Sequence, residues 1–236
     1  MAYYLLLLED AIQYLEKYRY LSGMQKILHE MEVRIHQNAG TEKDQAILLD
    51  CKAQLEADPQ ESMRLMQQAL SLLPEITEDN ALLVSNLNAN IGGTYRMLGE
   101  YALAKQHMET AMHILEKYDL VGYHDSYAQI INYAMLLGDM GEPEKGLAGL
   151  EKAEKLISDV NPHSYDHAIL LQARGTLQLV MGDMDKAVPN LQYALRLFAR
   201  AFDGDMTLLA EKQQEIGEML QTVGLPQETV QKFLNA

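Results

Sequence analysis

Three asparagines occupy places where their side-chain amides could bind an extended polypeptide backbone. Asn86 and Asn90 lie four residues apart, so they share one face of a helix, and Gly93 and Met97 continue that face. Asn132 follows Asn90 by 42 residues. An amide donates and accepts hydrogen bonds at once, which matches the groups of a peptide backbone. Solvation, or hydrogen bonding between neighbouring helices, is an equally good interpretation.

The other reactive side chains form no constellation that an enzyme would need. The sequence has no phosphate-binding loop, dinucleotide fingerprint, nucleophile elbow or paired-cysteine metal motif. His163 and His167 lie four apart beside Asp166, but two ligands without a third do not hold a metal. Cys51, the single cysteine, lies in a helical pattern that predicts burial. We therefore expect no enzymatic activity, no metal and no cofactor.

The elements that position these residues recur along the chain. Tight turns appear at a period of 41–42 residues, near residues 57, 99, 141, 182 and 224. Between the turns, apolar residues have the spacing of amphipathic helices. Glycine at four of the turns suits a helix C-cap, and Pro59, Pro143 and Pro226 suit the first turn of the next helix. Each period therefore predicts a helix, a tight turn and a second helix.

Small residues also recur at fixed places within each period. The sets are Gly92 with Ala104 and Ala111, Ala134 with Gly146 and Ala153, and Gly175 with Ala187 and Ala194. Small side chains at a crossing let two helix axes approach closely. The repeated triplet therefore predicts closely packed helix pairs. Gly93, next to Gly92 in the same helical pattern, is also interpreted as a close-packing glycine.

These residues have the order of a known repeat: small residue, aromatic, turn glycine, aromatic and two alanines. The order resembles the tetratricopeptide repeat (TPR), and the matching residues are Gly92, Tyr95, Gly99, Tyr101, Ala104 and Ala111. The match is best over 85–200, fair over 43–75 and 206–236, and poor over 1–40. The usual period is about 34 residues. The longer period here resembles the repeats of kinesin light chains, of bacterial peptide-pheromone receptors and of sensor domains in some large transcription activators.

The resemblance implies an all-α fold, a right-handed superhelix of antiparallel helix pairs, with Tyr95 and Tyr101 in the repeat core. It also implies that the first helix of each pair lines a concave groove that contacts a ligand. The candidate groove residues are Asn86, Asn90, Gly93, Met97, Asn132, Met135, Gln172 and Thr176. We expect a protein- or peptide-binding scaffold or adaptor. The alternative is a detached sensor domain of a bacterial signalling or transcription regulator that binds a peptide or small-molecule signal.

The repeat match predicts how the chain is organised. Residues 1–40 are expected to form an irregular N-terminal helix pair, over 3–18 and 21–37. Residues 41–236 are expected to form about five repeats in one continuous array.

Four residues depart from the repeat pattern. Asp50 stands where a small residue is expected, and Ser62 stands where alanine is usual. Leu137 and Gln178 replace the first aromatic in the third and fourth repeats. These departures weaken the repeat register in the first pair more than in the others.

The charge of the chain limits its partners. The formal net charge is −15, from 34 acidic and 19 basic residues. A field of that sign repels nucleic-acid phosphates and anionic lipid, so we expect no direct nucleic-acid or membrane partner. A purely solubilising surface explains the charge as well. The apolar run over residues 2–8 has no basic n-region and is far shorter than the roughly 20 residues of a membrane span. We expect a cytoplasmic protein, either a monomer or a weak homodimer.

Overall fold

The computed structural model describes residues 21–37, 40–121, 126–160, 165–203 and 205–234, apart from the side chains of residues 21 and 156–160. Within these ranges the chain forms eleven helices and no strand. They are α1 (Leu21–Gln37), α2 (Glu42–Leu55), α3 (Pro59–Ser71), α4 (Ala81–Met97), α5 (Tyr101–Lys117), α6 (Ser126–Asp139), α7 (Pro143–Val160), α8 (Tyr165–Val180), α9 (Met184–Ala201), α10 (Met206–Thr222) and α11 (Gln227–Leu234). The helix predicted over 3–18 lies outside the described residues.

The helices from α2 onward form five successive pairs. The first helices are α2, α4, α6, α8 and α10, and each packs against the second helix that follows it. The chain divides into two compact units, Met1–Leu120 and Val121–Ala236. Unit 1 contains α1 to α5, and unit 2 contains α6 to α11. The predicted division into an N-terminal pair and one continuous array stays a prediction.

Glycines with positive φ end the first helix in four of the five pairs. Their φ values are 76° to 90°, at Gly99, Gly141, Gly182 and Gly224. After α4, the N–H of Glu100 donates to the carbonyl of Tyr95 at 2.9 Å, and the N–H of Gly99 donates to that of Arg96 at 3.0 Å. These two bonds form a Schellman cap, which places its glycine in the left-handed region. The same two bonds recur at the other three glycines, so these turns lie where the sequence predicts them.

The small residues lie at the crossings between paired helices, as predicted. A Cβ added to Gly92 would lie 2.7 Å from Cγ of Met108, and one added to Gly175 would lie 2.6 Å from Cγ of Leu191. Met108 and Leu191 occupy equivalent places on the second helices α5 and α9. The alanines of the predicted triplets are at most 1 % exposed: Ala104, Ala111, Ala134, Ala153, Ala187 and Ala194. The small residues that recur along the sequence are therefore the residues at which the paired helices pack closely.

The two adjacent glycines of α4 have different surroundings. Gly92 faces the second helix, where an added Cβ would also lie 3.0 Å from the carbonyl oxygen of Ala104. No atom lies within 4 Å of the Cβ position of Gly93. The interpretation of Gly93 as a close-packing residue is therefore wrong. Adjacent residues project about 100° apart around a helix, so only one of the two can face the crossing.

Alanine substitutions at these two positions are expected to have opposite effects on stability. Gly93→Ala should raise the free energy of unfolding by about 0.5–1 kcal/mol, because alanine costs less backbone entropy than glycine and the site is open. Gly92→Ala should lower it by about 1–3 kcal/mol through overpacking against α5. Urea unfolding of both variants measures the difference, and two changes of the same sign would contradict the assigned orientation.

The first pair accommodates its departures with polar contacts. The Ser62 hydroxyl, at the place of the usual alanine, donates to the carbonyl of Ala53 at 2.7 Å. Asp50 is only 2 % exposed, and its carboxylate accepts from the Gln54 amide at 3.2 Å. Both polar side chains therefore bond to α2, the first helix of their own pair.

Tyr101 is not a core residue, contrary to what the resemblance implied. It is the first residue of α5, directly after the exposed turn, and it is 39 % exposed. Tyr95 lies inside α4, is half-buried, and stacks on the ring of His107 with the centroids 5.6 Å apart. Position in the helix, rather than residue type, therefore decides which of the two tyrosines packs.

In the last helix pair, α11 packs its apolar residues against those of α10. Val230 and Phe233 of α11 are buried in a cluster that includes Ile216 and Leu220 of α10. The remaining residues of α11 are polar and exposed, except for half-buried Leu234. The monomer or weak homodimer expected from the sequence stays a prediction.

Candidate functional site

The eight candidate groove residues divide between the two units. Four lie on α4 in unit 1: Asn86, Asn90, Gly93 and Met97. Asn86 and Asn90 are half-buried, Gly93 is open, and Met97 is 75 % exposed. This side of α4 therefore offers amide groups beside an unobstructed backbone and a flexible apolar side chain.

A polar cluster that the sequence did not suggest lies on the other side of α4. The Nδ2 group of Asn88 donates to the carbonyl of Val84 at 2.8 Å, and Oδ1 of Asn88 lies 3.0 Å from Nδ1 of His107. Because that oxygen can only accept, the N–H of His107 is assigned to Nδ1. Partial burial lowers the pKa of His107, which favours the neutral ring. This cluster connects α4 to α5 and is part of the packing.

The equivalent place in the fourth pair holds a different polar contact. Gln178 occupies the position of Tyr95, and Asn190 occupies that of His107. Nδ2 of Asn190 donates to Oε1 of Gln178 at 2.8 Å. The replacement of an aromatic by Gln178 therefore preserves a contact between paired helices.

The other four candidates lie on the first helices of unit 2. Asn132 of α6 is exposed, and Met135 is half-buried. Gln172 of α8 is only 8 % exposed, and its Nε2 donates to Oε1 of Glu215 at 2.7 Å. Thr176 is half-buried, and its hydroxyl lies 3.2 Å from the sulfur of Met219. Gln172 and Thr176 therefore join α8 to α10.

Sequence reasoning missed two exposed carboxylates on the same side of unit 2. Glu215 lies 83 residues after Asn132, and Glu218 lies 83 residues after Met135, which in each case is two repeat periods. Both are exposed on α10. The repeat period was the signal that could have found them. We call the following set the first-helix face of unit 2: Asn132, Met135, Thr176, Val180, Glu215 and Glu218.

The basic side chains of the first helices in unit 2 are engaged by carboxylates. Arg174 of α8 makes two hydrogen bonds, of 3.0 and 2.7 Å, to Glu154 of α7. These bonds lower the pKa of Glu154, which stays ionised at neutral pH. Lys212 of α10 donates to Oε2 of Glu215 at 2.8 Å and lies 5.3 Å from the ring centroid of Phe198. Glu215 is therefore already paired with a basic side chain of its own helix, whereas Glu218 accepts from the neutral amide of Gln214 at 2.9 Å.

The part of the chain that the structure describes brings together no three histidine, cysteine or acidic side chains that could hold a metal ion. His167 is 8 % exposed and lies edge-on to Tyr193, at 6.0 Å between centroids, while His163 lies outside the described residues. Cys51 is fully buried, as its helical pattern predicts. None of the helices in the described ranges combines the length and the hydrophobicity that crossing a bilayer requires.

Comparison with solved structures identifies the fold. The chain is similar to BtubC (BKLC) from P. vanneervenii at 18 % sequence identity and a TM-score of 0.64, over 97 % of this chain and 88 % of that one. It is also similar to a variant of a putative kinesin light chain from Podospora anserina, which has nearly identical TPR-like repeats. That identity is 12 % and the TM-score 0.53, over 84 % of this chain and 94 % of the other. No protein-family model matches the sequence, and no curated protein matches it.

These identities are low, so the likeness establishes the fold alone. The chain is an all-α, TPR-like solenoid, and the fold class predicted from the repeat is confirmed.

Proposed function

We propose that this TPR-like chain is a binding scaffold or adaptor that holds a protein or peptide segment against its first helices. The observation that supports the proposal most directly is that one side of the first helices is exposed. The second helices cover one side of the first helices, while Met97, Asn132, Val180 and Glu215 on the other side stay accessible. These positions recur at the repeat period, so within unit 2 a ligand would meet comparable places on successive first helices.

The chemistry of these positions suits a polypeptide ligand. Asn90 and Asn132 offer both donors and acceptors for a peptide backbone. Met97 and Met135 offer flexible apolar contact that adapts to different side chains. The open backbone at Gly93 allows close approach to α4. We assign these groups to contact within each unit separately, Asn90 with Met97 in unit 1 and Asn132 with Met135 in unit 2.

The comparisons do not favour the sensor-domain alternative. Neither similar structure is described as a receptor or a transcription regulator. We also propose that the chain performs no catalysis. A cytoplasmic location stays an expectation from the sequence.

The proposal is tested by amide truncation on the first helices. The immobilised full chain would capture a partner from cell extract, and the captured partner would be reduced to a short binding peptide for calorimetric titration. Each truncation removes about one net hydrogen bond, worth about 0.5–1.5 kcal/mol. Asn90→Ala should therefore weaken binding at unit 1, and Asn132→Ala binding at unit 2, by about two- to ten-fold.

The matched control removes an exposed amide from a second helix. Gln231→Ala on α11 should bind the peptide as the parent does. If Asn90→Ala and Asn132→Ala fold normally and also bind as the parent does, the first helices are not the ligand surface, and the proposal fails.

A further inference from the structure

The turn between α4 and α5 carries a group of exposed apolar side chains. Met97 is 75 % exposed, Leu98 48 %, Tyr101 39 % and Leu103 40 %, and they are four of the nine large hydrophobic side chains that the described ranges expose. Helical side chains tilt toward the N-terminus of their helix, so Tyr101 and Leu103 lean back toward the turn. We call these four residues the second-turn patch. Apolar residues that are exposed singly are ordinary, whereas an exposed apolar patch marks an interaction site.

The next two turns of the array place an ion pair beside the turn glycine. In the third helix pair, Nζ of Lys145 lies 2.5 Å from Oε2 of Glu142. In the fourth pair, Nζ of Lys186 lies 2.6 Å from Oδ2 of Asp183. In both pairs the acidic residue directly follows the glycine, and the lysine stands three residues further on. The carboxylate at each of these turns therefore has a basic partner within its own turn.

The second pair keeps the carboxylate but has lost the lysine. Glu100 directly follows Gly99, and Leu103 stands three residues further on, at the place of the two lysines. Glu100 is exposed, and its carboxylate forms no ion pair or hydrogen bond with any side chain in the described ranges. The two lysines of α5 are engaged elsewhere, Lys105 with Glu109 at 3.8 Å and Lys117 over the ring of Tyr118. An exposed leucine therefore replaces the basic partner that the repeat provides at the other two turns.

Charge complementarity indicates what would cover this patch. A partner that brings a lysine or arginine to Glu100 supplies the cation that Lys145 and Lys186 supply at the later turns. Apolar side chains beside that cation would remove Leu98 and Leu103 from water. A second copy of this chain suits the patch less, because it brings another Glu100 and a net charge of −15. An anionic membrane surface would be repelled for the same reason.

We propose that the second-turn patch docks a partner segment in which a lysine or arginine pairs with Glu100 and adjacent apolar side chains cover Leu98, Tyr101 and Leu103. This surface goes beyond the proposed function, because it is formed by a turn and the start of a second helix. It shares only Met97 with the candidate groove residues. All of its residues belong to unit 1, so none belongs to the first-helix face of unit 2.

The probes are three labelled nine-residue peptides. One repeats leucine, serine and lysine three times, and in the other two every lysine is replaced by glutamine or by glutamate. Fluorescence anisotropy measures their affinity for the full chain at low and at physiological salt. The lysine peptide should bind tightest and the glutamate peptide weakest, and added salt should weaken the lysine peptide most.

Removal of the Glu100 charge tests the ion pair with the partner. Glu100→Gln should weaken the lysine peptide by about two- to five-fold, the usual effect of an exposed ion pair, and leave the glutamine peptide nearly unchanged. The matched control is Glu116→Gln, which makes the same charge change at an exposed position near the other end of α5. This control should bind all three peptides nearly as the parent does.

Leu103→Lys rebuilds the ion pair of the later turns and should close the patch. The new ammonium would occupy Glu100, and the apolar contact of the leucine would be lost, so the lysine peptide should weaken about ten-fold. Ala148→Lys adds the same charge at an exposed position of α7 and should have little effect. Leu103→Met keeps an apolar side chain and should bind as the parent does. Circular dichroism confirms that the variants are folded.

The remaining outcomes would overturn the proposal. Equal losses in Glu100→Gln and Glu116→Gln, or in Leu103→Lys and Ala148→Lys, would mean attraction to net charge only. A glutamine peptide that binds as tightly as the lysine peptide would remove the role of Glu100. If no peptide binds, the proposed occupant is wrong. Binding to phosphatidylcholine vesicles, or a dimer seen by light scattering, that Leu103→Lys abolishes would then assign the patch to a membrane or to a second copy.

Discussion

Leu177→Ala is expected to lower the free energy of unfolding by about 2–5 kcal/mol, the usual cost of truncating a buried leucine. Leu177 lies on α8 and is 1 % exposed. A Cβ added to Gly138 of α6 would overlap its Cδ2, and a Cβ added to Gly146 of α7 would lie 2.9 Å from its Cδ1. One leucine therefore fills a notch made by two glycines on the two helices of the preceding pair.

The notch explains why the loss should fall in the upper part of the range. Glycines have no side chain with which to relax into the space left by the missing isobutyl group. The empty space would separate the third pair from the fourth, and a repeat array depends on contacts between neighbouring pairs. The substitution should therefore destabilise both the third and the fourth pair.

The control for this variant lies on the same helix. Val180→Ala removes two methyl groups from a side chain that is 59 % exposed, so it should change the free energy of unfolding by less than about 0.5 kcal/mol. Urea unfolding followed by far-ultraviolet circular dichroism measures both variants. A Leu177→Ala protein as stable as the Val180→Ala protein would show that α8 does not pack against the glycine notch as described.

The turns and crossings were predictable because their causes are local. A glycine at the end of a helix marks a left-handed cap, and Gly99, Gly141, Gly182 and Gly224 all take that conformation. Small residues at a fixed period mark close crossings, and Ala187 with its equivalents is buried as expected. Both signals depend on residue type and spacing alone.

Orientation around a helix was harder to predict. Gly93 is one residue from a true packing glycine, yet it faces open space. Tyr101 matches the repeat by type, yet it starts a helix beside an exposed turn. A residue type does not state which direction its side chain takes, so only the position of the neighbouring helix decides between packing and exposure.

The sequence suggested the eight candidate groove residues but not the two carboxylates on the last first helix. Glu215 and Glu218 occupy the repeat positions of Asn132 and Met135, but carboxylates on a chain of net charge −15 look like ordinary surface residues. Their arrangement becomes apparent only when α8 and α10 are seen in contact, through Gln172 and Glu215. Pairings between helices of different repeats depend on tertiary packing, which one sequence does not display.

Ala187→Arg is expected to lower the free energy of unfolding by about 3 kcal/mol or more. Ala187 of α9 is fully buried, and its carbonyl oxygen lies 3.3 Å from the Cβ position of Gly175 on α8. Overpacking at such a crossing costs about 1–3 kcal/mol. Arginine would also bring a charge into the apolar cluster that holds Leu191 and Leu220, and an unpaired buried charge costs several kcal/mol more.

Two further variants separate these causes and keep the test decisive if the arginine variant does not fold. Ala187→Leu adds volume without charge, so it should lose only the overpacking part, about 1–3 kcal/mol. Ala148→Arg places the same side chain at an exposed position of α7 and should change stability by less than about 0.5 kcal/mol. Urea unfolding ranks the three proteins. If Ala187→Leu proved as stable as Ala148→Arg, the α8–α9 crossing would have room for a larger side chain. The helices would then not pack closely at this alanine, and the repeat register derived from the small residues would be wrong.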